Sequence, residues 1–400
     1  MSTDTHEPPD ASAVLKAISE HDEVDPKAFH TRYEGGEGDQ YHLQHGDRLY
    51  SAKAIAGAAY DFQPPPTDPA RAGASISEIR AAAALRTSGF TVLNGRPATV
   101  EEELGWRLVV WKHLLASSDA DGLLTSYEVR SVRAFGGQQG IWTDKARTKH
   151  IHHNGLGVAL KHTGTDYPDT VTEESALYRY PDTKRSGQDQ TEILATKTAA
   201  KLGLPIFLIS ERGNRRLVKL GWVAGWEDRS GQFYVTFGPE APTALLTQDR
   251  SDEQPFVLEG NRRGQRTGKV PTRPDQAQFK LEVFQRYGPT CPLSGLAVPE
   301  MIEAAHLRPS AKNGTSDPRN GLPLNAALHR AFDADLFAIH PDTREILVRP
   351  QGPTLAQLGI IKTHLDGLDK YPHRDALAWR HTQWLEKNKP TPTKPRRRTP

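Results

Sequence analysis

The sequence has very little cysteine, no long apolar run and almost no net charge. A single cysteine, Cys291, among 400 residues excludes an intramolecular disulfide framework and a zinc site built on several cysteines. No apolar stretch approaches the roughly 18 residues that a membrane-spanning helix needs. The polar, acidic start, MSTDTHEPPD, lacks the apolar centre of a secretory signal. These features predict a soluble, cytoplasmic protein with no membrane partner.

Proline and glycine, by contrast, are abundant. The 30 prolines and 33 glycines indicate many turns and linkers, and a length of 400 residues suits two or three domains. The formal net charge is only +2, so the chain as a whole is not a polycation. Composition divides the chain into a head module at 11–97, a second domain at 99–240, a basic linker at 241–274, a third domain at 275–385 and a disordered basic tail at 386–400.

The head module has the pattern of a small α/β domain. It begins with a helical stretch, SAVLKAISEHDEV, and continues with YHL, the turn QHGD and RLYSA, which predict a hairpin leading into an alanine-rich helix. A further helix follows with Ser75 or Ser77 as its N-terminal cap. Nothing in this module points to catalysis, so we interpret it as an interaction or DNA-binding module.

The second domain begins with a helix and continues as a run of short strands. Thr99 and Glu102 have the spacing of a capping box before an apolar helical stripe. The segments YEVRSVRAF, LGVALKH, LPIFLIS, RLVKLGWVAGW and QFYVTFG then predict strands separated by turns, which are typical of a barrel or sandwich. One helix, TEILATKTAAKLG, interrupts them and ends at Gly203.

The third domain carries residues suited to phosphodiester chemistry. EMIEAAHL predicts a strand ending near His306, LPL predicts a second strand after a turn-rich loop, and Asn325 caps a helix, AALHRAFDAD. His329 and Asp333 lie four residues apart, so they share one helix face and form half of a divalent-metal site. His306 on the strand could deprotonate a water molecule. The two functions suit phosphodiester hydrolysis, in which a base activates the nucleophile and a cation neutralises charge on the phosphorane and the leaving oxygen.

Residues 291–340 resemble the HNH nucleases with a ββα-metal core. The resemblance rests on the segments CPLSG, EAAHLRP and NGLPLNAALHRAFD. It implies that His306 is the general base, that Asn320 fixes the loop and the orientation of the base, and that His329 binds a divalent metal, Mg²⁺ or Mn²⁺. Asp333 stands where some relatives have a second helical ligand. Isolated histidines are often ordinary core or surface residues, but the flanking segments favour the nuclease.

The chain departs from the HNH pattern at one position in particular. Relatives often carry a metal ligand immediately before the base, where this chain has Ala305. Glu303 lies on the same strand face and could substitute, or water could complete the shell. Cys291 alone cannot form the paired-cysteine zinc site of many relatives, so no structural zinc of this type is expected. Arg308 and Arg330 fit either phosphate contacts or solvated surface positions.

Residues 135–210 resemble an SRA (SET- and RING-associated) domain. The similar segments are GGQQGI, NGLGVAL, TDYPD, LYRYPDT, GQDQ and LPIFLIS. The resemblance implies that a modified cytosine is flipped from the duplex, sandwiched between Tyr167 and Tyr180, and recognised by Asp169. Pro181 stands where relatives have threonine, which leaves the accepted modification open. A generic β domain is the alternative.

The predicted fold is α+β and multidomain: a small α/β N-terminal module, a β-barrel-like SRA domain and a C-terminal ββα-metal (HNH) nuclease domain. This order resembles the modification-dependent (type IV, McrA-type) restriction endonucleases. It implies an endonuclease that recognises double-stranded DNA carrying 5-methyl- or 5-hydroxymethylcytosine and cuts nearby, with a homodimer as an open question. The basic linker would hold the DNA backbone through Arg262, Arg263, Arg266, Lys269 and Arg273. The alternatives are a non-catalytic reader with a decayed nuclease core and an HNH toxin.

Overall fold

The computed structural model describes residues 7–36, 39–63, 76–138, 140–162, 171–183, 187–260 and 274–389. Tyr167, Asp169, all five cations named in the linker, and the tail beyond residue 389 lie outside these ranges. The described residues form two compact units. One falls within 1–169, 180–223 and 235–245, and the other within 170–179, 224–234 and 246–400. The protein has a mixed α+β fold. None of the helices in the described ranges is long and apolar enough to cross a membrane.

The head module consists of four helices and a three-stranded antiparallel sheet. Its elements are α1 (Ala11–Glu23), α2 (Pro26–Arg32), β1 (Tyr41–His45), β2 (Arg48–Ser51), α3 (Ala52–Asp61), α4 (Glu78–Thr87) and β3 (Thr91–Asn94). The strand order is β2-β1-β3, which confirms the predicted hairpin, and the alanine-rich helix follows it directly. The cap of α4 is Ser77, whose side chain accepts from the backbone N–H of Arg80.

Small side chains bring the helices of the head module close together. The alanines at positions 52, 54, 56, 58 and 59 of α3 are fully buried. They lie in one core with Val14 from α1, Leu43 from β1 and Leu85 from α4. Because alanine adds little volume beyond the backbone, α3 can approach both α1 and α4, and dispersion contacts are gained along the whole helix.

The second region contains a seven-stranded sheet. The elements are α5 (Val100–Ser117), β4 (Leu123–Thr125), α6 (Ser126–Ser131), β5 (Gly140–Thr143), α7 (Lys145–Thr148), β6 (Gly157–His162), β7 (Ser175–Arg179), α8 (Gln188–Lys201), β8 (Ile206–Arg212), β9 (Arg215–Glu227) and β10 (Gln232–Phe237). The strand order is β5-β6-β8-β9-β10-β7, with β4 beside β9. This order is an open path, so no closed barrel is found among the strands within the described ranges, and the β-barrel-like SRA domain stays a prediction.

One of the predicted strands of this region is a helix. The stretch YEVRSVRAF was expected to be extended, but α6 occupies its first half. A complete capping box begins this helix, because the N–H of Glu128 donates to the Thr125 hydroxyl and the Glu128 carboxylate accepts from the Thr125 N–H. These local hydrogen bonds outweigh the extended preference of the valines. At α5 the predicted cap, Thr99, accepts from Glu102 N–H, while the Glu102 carboxylate accepts from the N–H of Ala98.

A buried ion-pair network joins α5 to α7 and to the residues that flank α7. Glu103 is fully buried and accepts from two guanidinium groups, those of Arg107 at 2.7 Å and Arg147 at 2.8 Å. Arg147 also donates to Asp144, which pairs in turn with Arg133. Burial opposes ionisation of Glu103, but the two arginines outweigh it and hold the pKa of its carboxyl below the usual value. Sequence reasoning missed this network. Its pairs within a helical turn, such as Glu103 with Arg107, were overlooked, and the pair that joins the two halves, Glu103 with Arg147, spans 44 residues.

The third region has the strand, loop, strand and helix order that the sequence predicts. Its elements are α9 (Pro274–Tyr287), β11 (Ile302–His306), β12 (Gly321–Asn325), α10 (Ala326–Asp333), β13 (Phe337–Ile339), β14 (Ile346–Val348) and α11 (Arg374–Lys387). Strands β11 and β12 pair antiparallel, as do β13 and β14. Phe279 and Val283 of α9 lie in the same core as Leu322, Leu324 and Leu328. The sequence analysis did not predict α9 or α11.

Candidate nuclease site

Asn320 closes the loop that joins β11 to β12. Its side chain is fully buried. The Asn320 Oδ1 accepts from the N–H of Arg308 at 2.9 Å, and Nδ2 donates to the carbonyl oxygens of Arg308 at 3.0 Å and Thr315 at 2.8 Å. A Cβ at Gly314 would lie 1.9 Å from the Arg308 carbonyl oxygen, so only glycine fits there. One amide therefore holds both ends of the loop.

His306 is the last residue of β11 and is half-buried. It pairs across the sheet with Gly321. Its ring stacks on Phe279 of α9, with centroids 3.7 Å apart and planes 14° apart. A Cβ at position 321 would lie 2.6 Å from both Phe279 and Val283, so a glycine there allows α9 to pack this closely. The stacking restricts the His306 imidazole to one plane beside the Asn320 loop.

His329 lies between two carboxylates. Asn325 caps α10 as predicted, its Oδ1 accepting from Leu328 N–H at 2.8 Å. One turn along the helix, Nδ1 of His329 is 2.6 Å from Glu303 Oε2, and Nε2 is 3.6 Å from Asp333 Oδ2. A carboxylate only accepts hydrogen bonds, so the neutral ring donates from Nδ1 to Glu303 and carries its lone pair on Nε2.

The donor set on α10 fits a divalent cation. An imidazole nitrogen and a carboxylate oxygen 3.6 Å apart are close to the spacing of two adjacent ligands of one ion, about 3.0–3.4 Å for bonds of about 2.1 Å. Ala305 is fully buried and offers no ligand. Within the described ranges, no group of three or more His, Cys, Asp and Glu side chains is arranged to hold a metal. Mg²⁺ suits so sparse a set, since it usually keeps several waters.

Arg308, two residues after the candidate base, contacts several other residues through its side chain. Its Nε donates to the Lys312 carbonyl at 2.9 Å, a terminal nitrogen lies 3.1 Å from Glu259, and the guanidinium lies over Trp379 at 5.4 Å. The segment at 258–260 also bonds to the loop through its backbone, at Asn313 and Thr315. The part of the basic linker at 258–260 is thus bound to the loop of the site. Arg330 is exposed on α10.

Of the three predicted base-binding residues, only Tyr180 is described. It directly follows β7 and is half-buried, and Nζ of Lys197 lies 5.4 Å from the centre of its ring. The two other residues of this prediction, Tyr167 and Asp169, lie outside the described ranges. The predicted pocket is therefore untested by the structure.

Comparison with known families assigns two parts of the chain. Residues 291–340, which contain β11, β12 and α10, match the family described as HNH endonuclease. The protein contains an HNH endonuclease domain. Residues 10–94 match the family described as ScoMcrA-like, N-terminal head domain. Neither match covers 99–240, so the SRA-like reader stays a prediction.

Two solved structures show weak similarity to the chain. One, described as modification dependent TagI restriction endonuclease, is 18% identical and covers 65% of this chain and 90% of its own, with a TM-score of 0.26. The other, described as the type IV phosphorothioation-dependent restriction endonuclease ScoMcrA, is 14% identical and covers 94% and 99%, with a TM-score of 0.23. At these scores no shared fold follows. A comparison with curated proteins found no match.

Two side chains of the site were missed or left undecided by sequence reasoning. Phe279 was missed, although it lies in an apolar stripe with Val283 that a test for helical periodicity would have found. Glu303 was considered only as a substitute ligand, whereas the structure places it against Nδ1 of His329. No sequence signal specifies that contact, since it joins residues 26 positions apart.

Proposed function

We propose that the HNH domain hydrolyses phosphodiester bonds of DNA with a divalent cation, Mg²⁺ or Mn²⁺. The observation that carries this proposal is the position of His329, whose Nε2 lies 3.6 Å from the Asp333 carboxylate on one face of α10. That pair supplies one imidazole nitrogen and one carboxylate oxygen, and both are groups that bind divalent cations in proteins. The helix that carries the pair, α10, follows β12 directly, and β12 pairs with the strand that ends at His306.

His306 is the proposed general base. Its imidazole takes a proton from a water molecule as the water oxygen attacks phosphorus and the bond from phosphorus to the 3′ oxygen breaks. Phe279 holds the plane of the ring, and Asn320 fixes the loop that continues from it. The backbone around the base is therefore ordered before DNA arrives, which lowers the entropic cost of reaching the reactive geometry.

His329 and Asp333 are the proposed metal ligands. A bound cation would supply positive charge to the phosphorane and to the leaving oxygen. Glu303 and Asp333 approach different nitrogens of the His329 ring, so the ring is held from both sides.

The second domain is the proposed reader of a modified cytosine in double-stranded DNA. In this proposal Tyr167 and Tyr180 sandwich a flipped base, and Asp169 accepts from its exocyclic amine, which thymine lacks. Stacking contributes roughly 1–3 kcal/mol per base and offsets the cost of unstacking. Lys197 lies over the Tyr180 ring, so the base would use the opposite face of that ring or displace the lysine.

The basic linker is the proposed holder of the DNA backbone. Its cations are Arg262, Arg263, Arg266, Lys269 and Arg273. They would bind phosphates without regard to sequence. We also propose that the protein acts against foreign DNA in the cytoplasm, and that two protomers pair when both strands are cut, since one site cleaves one strand at a time.

The experiment that tests this function compares matched plasmids. They carry no mark, 5-methylcytosine or 5-hydroxymethylcytosine, with a phosphorothioate plasmid as a further arm, and each is incubated with Mg²⁺, Mn²⁺ or EDTA. Cleavage of a cytosine-modified plasmid that EDTA abolishes is the expected result. Equal cleavage of all plasmids would favour an unselective nuclease such as a toxin. Selective binding without cleavage would favour a non-catalytic reader.

A further inference from the structure

We infer that Glu303 is a positioning residue for His329 and compensates for the alanine at position 305. This inference rests on the proposed function, in which His329 and Asp333 hold a divalent cation. Two observations carry it. Glu303 Oε2 lies 2.6 Å from Nδ1 of His329, and Nε2 of the same ring lies 3.6 Å from Asp333.

Strand β11 offers the site one carboxylate on the relevant face. Alternate residues of a strand face the same side, so Glu303 and Ala305 share a face of β11. The methyl group of Ala305 is fully buried and cannot bind a metal. The Glu303 side chain is longer, remains 45% exposed and reaches across to His329 on α10. The strand therefore acts on the site through Glu303.

The hydrogen bond to Glu303 decides which nitrogen of His329 can bind a cation. Each neutral imidazole carries one proton, and the partner of one nitrogen determines the role of the other. With a carboxylate at Nδ1, the proton stays on Nδ1 and the lone pair of Nε2 is directed towards Asp333. A carboxylate in this position also makes the ring a stronger electron donor. Without Glu303 the proton could occupy either nitrogen, and the ring would lose a contact that fixes its rotation.

The geometry separates this role from that of a direct ligand. Glu303 and Asp333 approach different nitrogens of one planar ring. Nε2 and Asp333 would hold a cation, whereas Glu303 contacts Nδ1. The carboxylate of Glu303 thus acts through the histidine.

The test uses the full-length protein and two readouts that need no DNA cleavage. Mn²⁺ binding is measured by calorimetry, and the ¹⁵N chemical shifts of the His329 ring are measured in metal-free protein and assigned with His329→Ala. The variants are Glu303→Ala and Glu303→Gln, and the matched control is Glu345→Ala, which removes an exposed carboxylate beside β14.

Glu303→Ala should weaken Mn²⁺ binding about 10- to 100-fold and release the ring proton from Nδ1. Glu303→Gln should recover part of the affinity because its amide oxygen still accepts, and Glu345→Ala should resemble wild type. Unchanged affinity and ring shifts in Glu303→Ala would overturn the inference. So would lost affinity with unchanged ring shifts, since Glu303 would then be a ligand. If His329→Ala and Asp333→Asn bind Mn²⁺ as wild type does, the proposed metal site itself is wrong.

Discussion

The side chain of Asn320 hydrogen-bonds both the N–H and the carbonyl oxygen of Arg308, twelve residues earlier in the chain. Arg308 stands two residues after the candidate base. The same amide reaches Thr315, so three backbone groups of the loop depend on one buried side chain. This explains in physical terms why an asparagine stands between the two histidines: it supplies an acceptor and two donors in a fixed plane.

Asn320→Ala should destabilise the nuclease domain and abolish cleavage. Each buried backbone group left without its partner costs about 1–3 kcal/mol. Asn320→Asp should also fail, because a second carboxylate oxygen would face two carbonyl oxygens. Urea unfolding and plasmid cleavage are the measurements, with Asn388→Ala, at the end of α11, as the control. A fully stable and active Asn320→Ala protein would show that the loop does not need this amide.

His306→Ala should abolish cleavage while DNA affinity stays at the wild-type level. General base catalysis typically contributes 10²- to 10⁴-fold, and the base acts only after the complex has formed. Cleavage is measured with Mg²⁺ and Mn²⁺, and binding by fluorescence anisotropy in EDTA. The control is His364→Ala, which removes an exposed histidine of the same domain. Wild-type cutting rates in His306→Ala would remove His306 from the mechanism.

Asp169→Ala should remove the preference for modified DNA and leave weak cutting that no longer depends on the mark. An unpaired polar edge of a flipped base costs on the order of 1–3 kcal/mol, roughly ten- to hundredfold in affinity. Tyr180→Ala should cost a similar amount through lost stacking. Competition binding between a modified site and its unmodified twin measures both effects. Asp182→Ala, at the exposed position two residues after Tyr180, is the control. Full discrimination in the Asp169 variant would mean that recognition occurs elsewhere.

Glu103→Gln should destabilise the protein by about 3–5 kcal/mol. The substitution keeps the volume of the side chain but leaves the buried guanidinium groups of Arg107 and Arg147 without their shared negative charge. Thermal unfolding followed by circular dichroism is the measurement. Glu101→Gln, in the exposed first turn of the same helix, should change little. If the two variants melt alike, the network contributes no net stability.

The head module and α5 should lose stability in acid. Burial lowers the pKa of His30 and His42 to about 4 and that of His113 to about 3. The unfolded chain, with histidines near 6.5, therefore takes up protons first as the pH falls. The contribution of these three histidines to stability is fully present above about pH 6.5, is lost as the pH falls towards 4, and does not change further below about pH 3. Each proton of difference changes the free energy of unfolding by about 1.4 kcal/mol per pH unit.

Substituting one of these histidines tests the origin of the pH dependence. His113 Nδ1 accepts from the N–H of Leu49, and the oxygen of asparagine can take over that bond. His113→Asn should therefore take up about one proton fewer than wild type when it unfolds in acid. Its melting temperature should then fall less steeply as the pH is lowered. His45→Asn, at an exposed position on β1, is the control. An unchanged slope in His113→Asn would assign the acid sensitivity to other groups.

Much of the local structure follows from the sequence alone. Thr99, Asn325 and Ser77 begin helices where a side-chain acceptor precedes an apolar pattern. The turn-bounded runs at β6, β8, β9 and β10 are strands, as predicted. Such signals are readable because donor and acceptor lie within a few residues of each other, so the energy of the contact depends little on the rest of the fold. The signal at α6 is equally local: the capping box of Thr125 and Glu128 can be read from the sequence, and the error arose because it was overlooked.

The tertiary structure alone decided which residues meet at the nuclease site and in the core. The sequence placed His306, Asn320 and His329 on a strand, a loop end and a helix. It could not show that Glu303 faces His329 or that Phe279 stacks on His306. Nor could it pair Glu103 with Arg147, 44 residues away. Contacts between distant residues depend on the register of strands and the packing of helices. Many alternative pairings of these elements are compatible with the same local sequence pattern, and only the packing of the complete hydrophobic core selects one of them.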